Sequence, residues 1–176
     1  KGMKAAEFDA EDKRRTLESV RSFLAQAENI NFILKPHPSE PPEDYAAFDT
    51  DYDDNRVRVR VIQGEYMWDV LNGTDVLMQR LSTTAIEAWM FGIDTIELLP
   101  MESYDDFFLN PLYSSGSLIA SDGETLRQHV NAILAGNGAT TEMKSFREES
   151  IEYLCHKVDG ASHNRIAEAI HKFVTT

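Results

Sequence analysis

A histidine stands between two prolines in Lys35-Pro36-His37-Pro38-Ser39. Each proline ring fixes its own φ, and Pro38 biases His37 toward extended backbone, so the imidazole is held with little freedom. At the end of a buried strand, such an imidazole suits phosphate contact or general acid–base work. The same residues also read as a stiff loop with an exposed histidine. A second constellation is Ser82-Thr83-Thr84-Ala85-Ile86-Glu87-Ala88. Three hydroxyl residues precede a helix that directly follows a strand, and one of them must cap it. A strand-to-helix turn also leaves backbone N–H groups free to hold an anion. Glu87 lies four residues after Thr83 on one helix face, about 6 Å from a phosphate bound at the turn and within reach of ribose hydroxyls.

The remaining groups carry weaker chemistry. Tyr104, Phe107, Phe108 and Tyr113 could stack on a base or sugar, but a small local core or a domain contact accounts for them better. Asp49-Thr50-Asp51-Tyr52-Asp53-Asp54 suggests calcium, yet Asp54 and Arg60 stand where that loop needs glycine and glutamate. The run is therefore read as a solvated acidic loop. Arg56, Arg58 and Arg60 read as the polar face of an edge strand. His129, His156, His163 and His171 lack metal-ligand spacing, so no metal or other cofactor is expected. Cys155 reads as a small buried side chain.

These residues need elements to position them. Asp9 is expected to cap a first helix, with Leu17, Val20, Leu24 and Ala27 at helical spacing. Phe32-Ile33-Leu34 predicts a strand buried on both faces, ended by Pro36. Residues 39–55 read as a polar stretch. Arg56 to Ile62 alternates basic and apolar, as an edge strand does. A short helix to Leu71, a strand at 76–78, a helix from the hydroxyl run to Phe91, and strands at 95–99 and 118–120 follow. Ser121 or Asp122 caps a helix to about Ala135, and two more helices cover 142–155 and 163–174. Strands alternating with helices predict a doubly wound, mostly parallel α/β sheet, Rossmann-like, in three α/β/α layers. Ligands of such sheets bind beyond the carboxyl ends of the strands, just after residues 35, 79, 99 and 120.

Composition bounds the partners. The 176 residues predict one domain over 1–176, the helices of 142–174 packing on it. Lys and Arg sum to 17 against 30 for Asp and Glu, a net charge of -13. That excludes a broad nucleic-acid surface but not one locally held anion. No apolar stretch approaches the ~20 residues of a membrane span, and one cysteine allows no internal disulfide. The first methionine is Met3, so the chain is expected to be a piece of a longer protein.

Lys35-Pro36-His37-Pro38, Asp69-Val70-Leu71-Asn72-Gly73-Thr74-Asp75-Val76 and Ser82 through Gly92 together resemble the carboxyl-terminal half of a GT-B glycosyltransferase. The likeness is to bacterial surface or capsular polysaccharide biosynthesis proteins. Lys157-Val158-Asp159-Gly160-Ala161-Ser162 and Arg165-Ile166-Ala167 resemble the carboxyl-terminal signature of that family, and the likeness spans roughly 31–172. Arg80-Leu81 stands where many relatives carry a glycine. The resemblance implies that this half binds a nucleotide-sugar donor, with His37 and Lys35 toward the phosphates. It implies that Ser82, Thr83 and Thr84 hold phosphate and that Glu87 takes the ribose. It also implies a cytoplasmic enzyme, held at the inner membrane face through an amino-terminal acceptor domain that this chain lacks. Sugar-nucleotide 2-epimerases and teichoic-acid glycerophosphotransferases share similar elements, and a non-catalytic α/β binding module is the third expectation.

Overall fold

Helix α1 (Ala5–Leu24) carries Val20, Phe23 and Leu24 into the main core. In the computed structural model, which describes residues 5–51, 56–102, 104 and 114–175, this helix is already formed before Asp9. Asp9 therefore does not cap it, and the acids at 9 and 12 serve contacts across the fold instead.

Strand β1 (Ile30–Leu34) pairs in parallel with β2 (Val57–Val61), from Ile30 opposite Val57 to Leu34 opposite Val61. β1 is not buried on both faces. Ile30, Phe32 and Leu34 pack on the core, while Asn31 is exposed and Ile33 is 44% exposed. A short apolar run cannot reveal that difference, because a one-sided strand and a two-sided one share the same few residues. β2 alternates as its sequence requires, with Val57, Val59 and Val61 inward and Arg58 and Arg60 exposed. Between the two strands the polar stretch is not all loop. A 3-10 turn (Pro42–Tyr45) and a short helix α2 (Ala46–Asp51) form there. Tyr45 and Phe48 are buried and anchor this segment. The Arg21 guanidinium lies 4.3 Å from the Phe48 ring centre and the Lys13 ammonium 4.8 Å from that of Tyr45. The acidic run at 49–54 thus begins in α2, and residues 52–55 lie outside the described ones.

Helix α3 (Met67–Leu71) leads into β3 (Val76–Gln79), then α4 (Thr84–Met90), β4 (Asp94–Leu98) and β5 (Leu118–Ala120). These strands form a second parallel sheet with β4 in the centre. Gln79 stands opposite Glu97, and Glu97 opposite Ile119. Ile96 and Leu98 of β4 share one core with α1, α2, β2 and α5 (Gly123–Leu134), so a single apolar cluster joins both sheets. Asp122 caps α5 by accepting from the Thr125 N–H at 2.7 Å. Gly123 allows α5 to approach α1: a Cβ there would lie 2.6 Å from Ser22 Cβ and 2.7 Å from the Ser19 carbonyl oxygen.

The other face of β4 is polar. Trp89 of α4 donates its indole N–H to Thr95 Oγ1 at 2.8 Å, and Thr95 hydrogen-bonds Ser117 Oγ at 2.8 Å. Helix α6 (Thr141–Cys155) closes this side through Arg147. Its Nε donates to the Gly116 carbonyl and its Nη1 to Asp94 Oδ1, each at 2.6 Å. Cys155 is half-buried beside this cluster rather than fully enclosed. Helix α7 (Ser162–Thr175) buries none of its residues. The described residues thus form a mixed α/β protein with seven α-helices and two small parallel sheets. None of the described helices is long and apolar enough to cross a membrane.

Candidate functional site

β1 ends at Leu34, and Lys35 and Pro36 carry the chain to an exposed His37. Residues 37–40 form a closed turn, in which the Glu40 N–H donates to the His37 carbonyl at 2.9 Å. Glu40 Oε2 in return accepts the His37 N–H at 3.0 Å. The ring is fixed as well. Its Nδ1 accepts from the Ser39 N–H at 3.2 Å and lies 2.7 Å from Ser39 Oγ. An Nδ1 that accepts carries no proton in the neutral ring, so the hydrogen sits on Nε2. Nε2 has no hydrogen-bond partner among the described residues, and the residue is exposed. Lys35, half-buried, likewise has no partner among them.

Glu40 connects this turn to α1. Its Oε1 lies 3.0 Å from Lys13 Nζ, which also holds Asp44 at 3.0 Å. Burial alone would lift the Glu40 carboxyl, but the Tyr45 hydroxyl, Lys13 and the His37 N–H outweigh it and hold it below the usual carboxylate range. Burial and the neighbouring Glu40 push the Tyr45 phenol up to about 12.

The preceding residue of α1, Asp12, holds the turn after β3. Arg80 Nη1 donates to Asp12 Oδ2 at 2.8 Å and to Asp9 Oδ1 at 2.9 Å. Asp12 is 1% exposed, and its other oxygen accepts the Tyr104 hydroxyl. Tyr104 also accepts the Met101 N–H at 3.2 Å and stands edge-on to Phe8 at 5.4 Å. Tyr104 therefore belongs to a small local core. Phe107, Phe108 and Tyr113 lie outside the described residues. Two adjacent residues of α1 thus tie down the turn after β1 and the turn after β3, together with the start of the connection after β4.

Leu81 adopts φ +49°, the left-handed region that glycine reaches without strain. Its N–H lies toward the Glu97 carboxylate and opposes the rise that burial gives that carboxyl. Ser82 is the effective cap of α4, since its Oγ accepts the Thr84 N–H at 3.2 Å and donates to Thr84 Oγ1 at 3.0 Å. Thr83, exposed and helical in backbone, makes no side-chain cap bond. Among the described residues no partner is found for the backbone N–H of Ser82 or Thr83. Glu87 is half-buried and accepts the Trp68 indole N–H at 3.4 Å, the long end of the hydrogen-bond range. Trp68 in turn stands edge-on to Phe91 at 5.6 Å.

Of the residues singled out by sequence, Ser82 and Thr84 are in direct contact. His37 and the hydroxyl turn are joined only indirectly, through Glu40, Lys13, Asp12 and Arg80. Glu87 points to α3. Sequence reasoning passed over Asp12, Lys13, Glu40 and Arg80. It also passed over Glu97, which is 1% exposed. A lone carboxylate between apolar neighbours in Thr95-Ile96-Glu97-Leu98-Leu99 was the available signal. Among the described residues no three His, Cys, Asp or Glu side chains cluster as metal ligands. His129 Nε2 instead meets the Ile119 carbonyl oxygen at 2.8 Å. No family model, curated protein or solved structure matches the chain.

Proposed function

We propose that the chain is the donor-binding domain of a glycosyltransferase of surface polysaccharide synthesis, with the doubly wound, three-layer order its sequence suggests. The observation that carries this reading is the α1 clamp. Lys13 and Asp12 are consecutive, and through Glu40 and Arg80 they hold the turns after β1 and β3 on one helix. Both turns lie at carboxyl ends of parallel strands, where ligands of such sheets bind. Each presents unpaired donors: His37 Nε2–H on one, the Ser82 and Thr83 N–H groups and the Thr83 hydroxyl on the other.

A nucleoside diphosphate suits such a set. Neutral donors fixed in place stabilise the charge that grows on a leaving diphosphate as the glycosidic bond to it breaks. Lys35 adds a cation near the His37 turn. Glu87 exchanges its long contact with Trp68 for ribose hydroxyls. The base that deprotonates the acceptor hydroxyl comes from a separate amino-terminal domain. The test is calorimetric titration of the folded chain with CMP, CDP, UDP and GDP. Saturable binding of one nucleotide, weakened at least tenfold by His37→Ala, is expected. No binding by any of the four, with the fold intact, overturns the proposal.

The Glu87–Trp68 contact favours a second reading, a non-catalytic α/β binding module, because it turns the proposed ribose carboxylate toward α3. Under that reading Glu87→Gln leaves nucleotide affinity unchanged.

A further inference from the structure

Each of the two sheets keeps one open edge beneath α1. β1 pairs with β2 alone and β3 with β4 alone, and β1 and β3 do not lie side by side. Backbone groups along a parallel strand serve its two neighbours alternately. The Ile30 N–H donates to the Arg56 carbonyl and the Leu34 carbonyl accepts the Ile62 N–H, so Ile30, Phe32 and Leu34 face β2. Asn31 and Ile33 therefore turn their N–H and C=O groups away from β2, and no partner for them is found among the described residues. The Leu99 N–H donates to the Ala120 carbonyl, so odd residues of β4 face β5 and even ones face β3. Leu77 and Gln79 then answer β4, while Val76 and Met78 face away from it. Both strands pack on the cluster that α1 covers, and the consecutive α1 residues Asp12 and Lys13 reach the turns at their carboxyl ends. The two open edges thus face each other under one helix. Solvent reaches them: Ile33 is 44% exposed, and Val76, Leu77 and Met78 are only half-buried, whereas inner strands of parallel sheets are covered on both faces.

We propose that these two edges are the docking surface for one apolar strand, parallel to both, supplied by the polypeptide that runs into α1. An unpaired strand edge is a template for another strand, and its main-chain groups supply the affinity. Handedness names the strand. α1 and α2 lie on the same face of the sheets, since Phe23 and Phe48 share one cluster. The crossover from β1 through α2 to β2 steps away from β3. Crossovers between parallel strands are right-handed, so one that passes through α1 on that same face steps in the same direction. Its first strand then lies on the β3 side of β1. The crossover from β3 through α4 to β4 steps the opposite way with α4 on the opposite face, which is the same hand. With the added strand as the first in sequence, the order β2, β1, added strand, β3, β4, β5 is that of a doubly wound sheet. Flanked on both sides and covered by α1, the strand is apolar and about five residues long. The inference rests on the doubly wound order and not on the nucleotide reading.

Amide hydrogen exchange followed by NMR tests this, on the 176-residue chain and on the same chain carrying a Val-Ile-Val-Thr-Val strand and a Gly-Ser turn ahead of Lys1. In the unextended chain the amides of Asn31, Ile33, Val76 and Met78 are expected to exchange about tenfold or more faster than those of Phe32 and Leu34, which face β2. The extension is expected to slow all four by about tenfold or more and to raise the melting temperature by about 5 °C or more. The same extension with proline in place of its central valine, which removes a ladder donor, is expected to do neither. Protection of the four amides in the unextended chain equal to that of Phe32 and Leu34, whether β1 pairs β3 or a second copy pairs either edge, overturns the proposal. So does an extension that protects one edge alone or neither. No nucleotide enters the experiment, so its failure is separate from failure of the nucleotide titration.

Discussion

Replacing Asp12 by asparagine tests whether α1 holds the site. The side chain is 1% exposed and accepts both Arg80 and the Tyr104 hydroxyl. Asparagine can still accept from Tyr104 through its carbonyl oxygen. Its amide group then faces the Arg80 guanidinium, donor against donor. The lost bond is charge-assisted and largely shielded, a class of about 1.5–3 kcal/mol. Arg80 keeps Asp9, but Asp9 is 61% exposed, so that contact offsets little. The expected loss is about 2 kcal/mol, which lowers the melting temperature by about 4–8 °C in a chain of this size. Thermal and urea unfolding of Asp12→Asn, Arg80→Met and the double variant give a complete cycle. The double variant is expected to lose less than the sum of the singles by about 1 kcal/mol or more, because each single leaves one buried partner unmatched. Additive losses would refute the clamp.

Four further outcomes follow from the same contacts. Burial raises the Glu97 carboxyl above its ordinary value of 4.5, against the opposing bonds from Ser114 and Leu81. A raised carboxyl pKa stabilises the fold fully below the unfolded pKa and loses that contribution as pH rises through the folded pKa. Wild-type stability is therefore expected to fall, relative to Glu97→Gln, as pH rises above the ordinary carboxyl value, measured by urea unfolding at each pH; parallel profiles would count against a buried Glu97 with a raised pKa. Leu81→Gly should unfold at higher urea than Leu81→Ala, by about 1 kcal/mol, because only glycine relieves the left-handed backbone; the reverse order contradicts the strain. Gly116→Ala drives a methyl into the Trp89 ring and should cost about 1–3 kcal/mol, with a change in Trp89 fluorescence. His37→Ala should leave the melting temperature within about 1 °C, since the ring is exposed, while nucleotide affinity falls.

Much of the element order was legible because local signals were strong. The alternation of Arg56 to Ile62, a cap at Ser121 or Asp122 and the apolar centres of β3, β4 and β5 are strong local signals; each element formed, with Asp122 as the cap. Local signals failed where tertiary contacts decide. Asp9 reads as a helix cap and Asp12 gives no local signal, but their partner Arg80 is about 70 residues away, beyond any window of periodicity. Tyr45 and Phe48 convert a polar stretch into a packed turn and helix by burying two rings, which composition alone reads as loop. The candidate site was half legible. The strand-end rule located the turns after β1 and β3, but the residues that hold them to each other are paired charges, and pairing cannot be read from one sequence.

The most direct measurement is a nucleotide titration of the isotope-labelled chain followed by amide NMR. The account predicts that CDP, UDP or GDP shifts the amides of His37–Ser39 and of Leu81–Thr84 together, along one saturation curve with a single Kd. Shifts confined to one of the two turns, or to neither, would contradict it.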